Sequence, residues 1–185
     1  RRGRVEGLQF RIDVRPGALE WLKDVVGSVA PAARVAIISD SNVARRYGKR
    51  VAKQLGGATV FTMPAGEKHK HRKTWATLTD KLLAAHFGRD TIIVALGGGV
   101  VGDVAGFVAA TYLRGVPVVQ VPTSLLAMVD ASIGGKTGVD TRAGKNLVGA
   151  FHQPAGVVVD PSLLATLPPA HIRAGFAEMV KHGVV

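Results

Sequence analysis

Thr91-Ile-Ile-Val-Ala-Leu96 runs without a break into Gly97-Gly-Gly-Val-Val-Gly102-Asp103, and this stretch decides the fold class. A continuous apolar run bounded by glycine reads as a strand covered on both faces. Val104, Phe107, Val108 and Leu113 then recur at helical spacing and predict a helix over 100–114. A buried strand, a glycine turn and a helix form a geometry that holds phosphate. Backbone lacking Cβ atoms can approach an anion closely, and the first N–H groups of the helix point at it. Gly97-x-Gly99-x-x-Gly102 formally matches the dinucleotide fingerprint. Two features depart from that fingerprint: no Asp or Glu lies between Asp103 and Asp130, and the turn does not follow the first strand. The segment is a phosphate-binding turn outside the ordinary pattern, with a mere tight turn as the alternative.

Outward from it, short β-branched runs alternate with helical patterns. Strands are expected at 8–14, 34–39, 59–63, 91–96, 116–121 and 156–159, with helices at 17–27, 42–55, 71–87, 100–114 and from 169 onward. The fold class is α/β: a Rossmann-like, largely parallel sheet with flanking helices. The chain closes on an apolar Gly183-Val184-Val185 with no cap or polar tail, so the expectation is the first domain of a longer protein.

With 185 residues, 47% hydrophobic and 20% charged, the composition is that of one globular domain and excludes disorder and low-complexity architectures. Cysteine is absent, which removes disulfides, thiolate metal ligands and a thiol nucleophile. No apolar run approaches the roughly 18 residues a membrane span needs, and no signal core follows the basic N-terminus. A cytoplasmic protein with no membrane partner is the expectation. The formal charge is +11, concentrated in residues 1–75, which hold 16 basic and 6 acidic residues. Arg45, Arg46, Lys49, Arg50 and Lys53 recur at helical spacing among Val43, Ala44, Val51 and Leu55, as on the solvated face of an amphipathic helix. Nucleic-acid binding is the other reading, and it would show as a steep loss of affinity with salt.

Four further segments carry polar groups at strand ends or beside glycines. Asp40-Ser-Asn42 ends the second strand, placed either to meet ribose hydroxyls or to cap the next helix. Gly66-Glu67-Lys68-His69-Lys70 follows the third strand and mixes a carboxylate with cations. Asp130, Gly134-Gly-Lys136-Thr137 and Gly144-Lys145-Asn146 form the richest segment. Lys136 follows paired glycines, yet the P-loop spacing fails because position 130 is Asp. Two lysines, an aspartate and an asparagine suit an anionic substrate and a carboxylate for proton work. On the last helix Glu178 shares a face with Lys181 and with His182. The first pairing reads as a salt bridge and the second as a metal pair, but two ligands do not make a closed metal site.

Gly-Gly-Gly-Val-Val-Gly-Asp103, Tyr112-Leu-Arg114-Gly, Val121-Pro-Thr-Ser124, Asp130, Gly-Gly-Lys136-Thr, Gly-Lys145-Asn146, Phe151-His-Gln-Pro154 and Ala177-Glu178-x-x-Lys181 occur in order. This set resembles 3-dehydroquinate synthase over nearly the whole chain. The resemblance implies that residues 1–185 are an N-terminal Rossmann-like NAD-binding domain, followed in the full enzyme by a helical metal and substrate domain. It implies a lyase of the shikimate pathway that turns 3-deoxy-arabino-heptulosonate 7-phosphate into 3-dehydroquinate and phosphate, using NAD and zinc or another divalent cation such as cobalt.

Residue by residue, the resemblance assigns Asp40, Asn42, Glu67 and Lys70 to the adenosine end of NAD. Gly98, Gly99, Val100, Val101, Gly102 and Asp103 would hold the pyrophosphate region, with Thr123 and Ser124 beside it. Leu163, Leu164, Ala165 and Thr166 would close over the cofactor. Asp130 would sit at the nicotinamide end, Lys136 and Asn146 on substrate phosphate, and Lys145, together with Lys136, on cofactor. Glu178 would ligate metal and Lys181 would contact the substrate carboxylate, while His182 is not assigned to metal. Arg114 would reach the neighbouring subunit's site, which implies a homodimer. The partners implied are a phosphorylated sugar acid and a second copy, with no nucleic acid. The 185 residues alone are expected to be inactive. Other sugar phosphate cyclases and metal-dependent alcohol or glycerol dehydrogenases are the competing enzymes; a simple alcohol offers no phosphate for Lys136 and Lys145.

Overall fold

The computed structural model describes residues 10–184. The strands are β1 (Arg11–Val14), β2 (Arg34–Asp40), β3 (Thr59–Met63), β4 (Thr91–Gly97), β5 (Val118–Pro122), β6 (Lys136–Thr141), β7 (Gly144–Phe151) and β8 (Gly156–Val159). The helices are α1 (Leu22–Val29), α2 (Ser41–Val43), α3 (Lys49–Gln54), α4 (Arg72–Ala84), α5 (Gly99–Thr111) and α6 (Pro169–Val184), joined in places by short 3-10 or π turns. Six strands form one parallel sheet in the order β1-β8-β5-β4-β2-β3, and β6 and β7 form a separate antiparallel hairpin.

Strand residues alternate between two cores, as the period of two requires. Ala36, Ile38, Ile93, Ala95 and Val118 face α4, α5 and the hairpin. Ile37, Ile92, Val94, Leu96 and Val119 face α1 and α3. This double coverage is why β4 reads as an unbroken apolar run: all of Thr91–Gly97 is buried.

The expected elements appear with shifted edges that have local causes. Leu8 and Gln9 of the first expected strand lie outside the described residues. The expected helix at 17–27 divides into a 3-10 turn, Ala18–Trp21, and α1. The N–H groups of Gly17 and Leu19 donate to the carboxylate of Asp160 rather than into an α-helical ladder. The strand expected from 116 begins at Val118, because the N–H of Val116 still donates to the carbonyl of Ala109 and Pro117 has none to donate. α5 stops at Thr111, ahead of Leu113 and Arg114, which hold φ of 49° and 70°.

The hairpin was not among the expected strands: the polar segment within 130–146 forms β6 and the start of β7. Thr137, Val139, Val148 and Ala150 turn toward α5, but Gly138 and Gly149 interrupt the apolar alternation. The reason for glycine at 149 is steric: a Cβ there would stand 2.0 Å from the carbonyl oxygen of Thr137. Gly149→Ala is therefore expected to destabilise the chain by about 1–3 kcal/mol, the usual cost of forced overpacking. Urea denaturation of the variant measures it, and an unchanged midpoint would contradict the packing described.

Candidate functional site

The chain leaves β2 outward to β3 and then returns across it to β4, so the connections diverge between β2 and β4. Open α/β sheets bind ligands beyond the carboxyl ends of strands at such a point. Register places Asp40 level with Met63, Ser39 with Leu96, and Gly97 with Pro122. Their loops surround a cleft of about 950 Å³, within the usual span of small-molecule sites.

At its floor stands the N-terminus of α5. Gly98 is the N-cap residue, extended at φ −77° and ψ −173°, and makes no side-chain cap bond. The first turn of a helix leaves its N–H groups without intrahelical partners, here those of Gly99, Val100 and Val101. Gly102 N–H donates back to Gly98 at 3.0 Å, and Thr123 N–H donates to Gly97 at 2.9 Å, which ties the turn to the end of β5. A Cβ on Gly98 would lie 3.3 Å from Ser124 Oγ, so the hydroxyl closes over the bare turn. Open donors and the positive end of the helix dipole make this the natural seat of an anion.

The capping reading of Asp40 is observed. Its Oδ1 accepts from Asn42 N–H at 2.8 Å and Val43 N–H at 3.1 Å, capping α2, while the residue borders the cleft. Glu67 also borders it and pairs with Lys145 at 3.1 Å, which brings the third-strand loop against the hairpin. Lys70 is 5% exposed, and its Nζ lies 2.5 Å from Asp103 Oδ2 and 2.5 Å from Asn146 Oδ1. Burial pushes the Asp103 carboxyl up and the Lys70 contact pulls it down; the net position is above the ordinary carboxylate range.

A second cleft of about 600 Å³ opens beside the first, and Asp103 and Asp130 border both. Lys136, Thr137 and Asn146 of the hairpin line it, with the exposed Phe151 at its rim. Gly134 and Gly135, at φ +93° and +68°, let the chain turn into β6 and aim Lys136 there.

The expectation that only two metal-type ligands come together is corrected. Asp130, Glu178 and His182 each offer one donor atom, all within 4.8 Å of one another. Asp130 lies 48 positions before Glu178 in sequence, so helical spacing could not reveal it. Two carboxylates and an imidazole suit zinc or a similar borderline cation. His182 Nε2 is 3.6 Å from Asp130 Oδ1, and Lys181 Nζ is 2.9 Å from Glu178 Oε2, so the salt bridge and the metal grouping share Glu178.

Not every residue singled out reaches a cleft. Of the segment Leu163–Thr166 only Thr166 borders the first one, while Leu163 is buried in the core beside Val159. Gly102 is buried against Gln120, whose Nε2 donates to its carbonyl at 3.2 Å. Arg114 is exposed and lines neither cleft. Conversely Arg45, Arg46, Tyr47 and His171 border the first cleft without having been expected there. Arg45 and Arg46 read as solvated helix face, and only the packing of that helix beside Asp40 shows where the face looks. Tyr47 Oη and Thr166 Oγ1, 2.7 Å apart, join the two sides of the cleft mouth.

Comparison with known proteins bears on these clefts. Residues 60–174 match the family described as 3-dehydroquinate synthase N-terminal. A 3-dehydroquinate synthase from Gloeobacter violaceus is 48% identical over 180 residues, covering 95% of this chain and 50% of that protein. The chain thus spans about half the length of the curated relatives it matches. The crystal structure of 2-deoxy-scyllo-inosose synthase complexed with carbaglucose-6-phosphate, NAD+ and Co2+ superposes with a TM-score of 0.84 at 34% identity, over 93% of this chain and 48% of that one. A 2-epi-5-epi-valiolone synthase from Streptomyces hygroscopicus, with NAD+ and Zn2+ bound, gives 0.80 at 33% identity, over 98% of this chain and 51% of that one.

Proposed function

Because this chain belongs to the 3-dehydroquinate synthase family, we propose that it is the NAD-binding part of an enzyme converting 3-deoxy-arabino-heptulosonate 7-phosphate to 3-dehydroquinate with release of phosphate. The observation that carries the reading is the uncapped N-terminus of α5 at the sheet's switch point, in a cleft continuous with a second one holding Lys136 and Asn146. Identity of 48% to a 3-dehydroquinate synthase against 33–34% to the other cyclases supports this substrate over theirs.

In this reading the α5 N–H groups hold the pyrophosphate of NAD, and Asp40, Glu67 and Lys70 hold its adenosine side. Lys136 and Asn146 take the substrate phosphate in the second cleft, and Lys181 takes the substrate carboxylate. Asp130 borders both clefts, so its carboxylate is placed to hold a proton between cofactor and substrate. Glu178, with Asp130 and His182 near it, is the candidate holder of a divalent cation. When bound, NAD supplies reversible oxidation of a ring hydroxyl and the cation polarises the oxygen concerned. Arg114 projects from the strained turn after α5 and is assigned to a neighbouring subunit's site, which makes the enzyme a homodimer. No described helix is long and apolar enough to cross a membrane, which fits a cytoplasmic enzyme.

The test is phosphate release from the sugar phosphate by the gene product that carries this chain, supplied with NAD+ and zinc. Lys136→Ala is expected to lower kcat/KM about a hundredfold, since one charge-assisted phosphate contact contributes about 1.5–3 kcal/mol. No release by the loaded gene product would overturn the reading. The 185 residues alone are expected to release none, and turnover by them would contradict the division of labour proposed.

A further inference from the structure

We propose that Lys70 is a positioning residue for the second cleft: its buried ammonium fixes the side-chain amide of Asn146 so that the NH2 group faces the anion bound there. An ammonium carries three donors and no acceptor. The atom 2.5 Å from Lys70 Nζ must then be the amide oxygen of Asn146, whichever way the amide would otherwise turn. Oxygen toward Lys70 turns the NH2 group away from the ammonium. Asn146 lines the second cleft, whereas Lys70 borders only the first, so those hydrogens are presented to the second. A carbonyl facing that way would repel a phosphate oxygen; an NH2 donates to it.

Three further contacts hold the arrangement. Asp103 Oδ2 lies 2.5 Å from the same ammonium and anchors it to α5. The carbonyl of Lys70 accepts from Asp140 N–H at 2.7 Å, and Asp140 Oδ1 accepts from Asn146 N–H at 2.8 Å. Asn146 itself sits at φ +56°, a region that non-glycine residues enter at a cost. Both the backbone and the side chain of Lys70 thus hold a strained residue in one orientation. Lys70 also joins the two clefts, through Asp103, which borders both, and Asn146, which borders the second. Its role extends beyond the cofactor contact assigned above.

The inference rests on the reading of the second cleft as a phosphate site, and the experiment separates the two. Inorganic phosphate is titrated into the 185-residue chain with NAD+ present, following the 15N side-chain amide signals of Asn146, which are identified by their loss in Asn146→Asp. Phosphate is expected to shift both Asn146 amide protons in the unaltered chain. Lys70→Met keeps the aliphatic stem and removes the donors; it should weaken phosphate about tenfold, the effect of losing one well-oriented hydrogen bond, and should abolish the amide shift. Asn146→Asp still accepts from Lys70, so it keeps the contact that Lys70→Met removes, and it too should lose at least about tenfold because a carboxylate donates nothing and repels the anion. Asn146→Asp binding phosphate as tightly as the unaltered chain would overturn the proposed orientation. Phosphate affinity unchanged in Lys70→Met but lost in Asn146→Ala would overturn the role of Lys70 and leave the phosphate site standing. Phosphate that shifts no Asn146 signal and binds all variants equally would overturn both.

Discussion

Gly98→Asp is expected to lower NAD+ affinity by at least about a hundredfold, a change of about 2.7 kcal/mol, while the melting temperature holds or rises. Position 98 has the extended backbone typical of a helix N-cap and makes no cap bond. Aspartate is among the best residues there, and its side chain would accept from the open N–H groups of α5. The fold therefore has no reason to weaken. A new Cβ would stand 3.3 Å from Ser124 Oγ, a hydroxyl able to rotate aside. The ligand sees the opposite. The new carboxylate takes the donors that the proposed function assigns to the pyrophosphate and adds a like charge, which at about 4 Å and an effective dielectric near 20 costs about 4 kcal/mol. Calorimetric titration with thermal unfolding checks both halves. Retained NAD+ binding would contradict the placement of the pyrophosphate at this helix.

The second large effect concerns stability. Asp160 is 2% exposed and accepts from Gly17 N–H, Leu19 N–H, Ser162 N–H and Ser162 Oγ at 2.6–3.2 Å. It ties the turn after β1 to the end of β8 and caps the 3-10 turn Pro161–Thr166. Asp160→Ala strands several donors at once and is expected to cost about 3–5 kcal/mol, since each buried unsatisfied group costs about 1–3 kcal/mol. In a domain near this size that is a fall of about 10 °C in Tm, at about 2–4 °C per kcal/mol.

A pH series separates this carboxylate from mere packing. Burial raises the Asp160 carboxyl, but the hydrogen bonds from Ser162, Leu19 and Gly17 outweigh it and hold the group below its ordinary range. A depressed folded value means the stabilisation is fully present above the unfolded value of about 3.9. It is lost as the pH falls through the folded value. The gap between the unaltered chain and Asp160→Ala should be widest near neutral pH and narrow in acid below about pH 4. A gap independent of pH would show that packing alone explains the loss.

Much of the fold was legible because its signals are local. β4 shows as an apolar run since it is covered on both sides, and the glycine turn shows because the backbone there must stay bare. The order of the strands, and hence the switch point beside Asp40 and Gly97, is a long-range property that no local window contains. The hairpin was missed because glycine stands where backbones touch at Gly138 and Gly149, and polar residues stand where β7 faces a cleft. The site divides in the same way. Asp40, Glu67, Asp130, Lys136 and Asn146 could be marked by type and position, and Asp103 only through the resemblance. Sequence could not show that Lys70 lies buried between α5 and the hairpin, that Leu163 turns into the core, or that Asp130 joins Glu178 and His182 across 48 positions. Each of those depends on which side of a helix or hairpin meets another element.

Whether a nicotinamide dinucleotide sits across the N-terminus of α5 is decided by adding NAD+ to the 15N-labelled chain at physiological salt. Loose charge effects are screened there beyond about 8 Å. Saturable shifts are expected, largest at the backbone amides of Gly99, Val100 and Val101, with smaller ones at Asn42 and Thr123. Shifts confined to the basic surface around Lys49, Arg50 and Lys53, fading as salt rises, would contradict that placement.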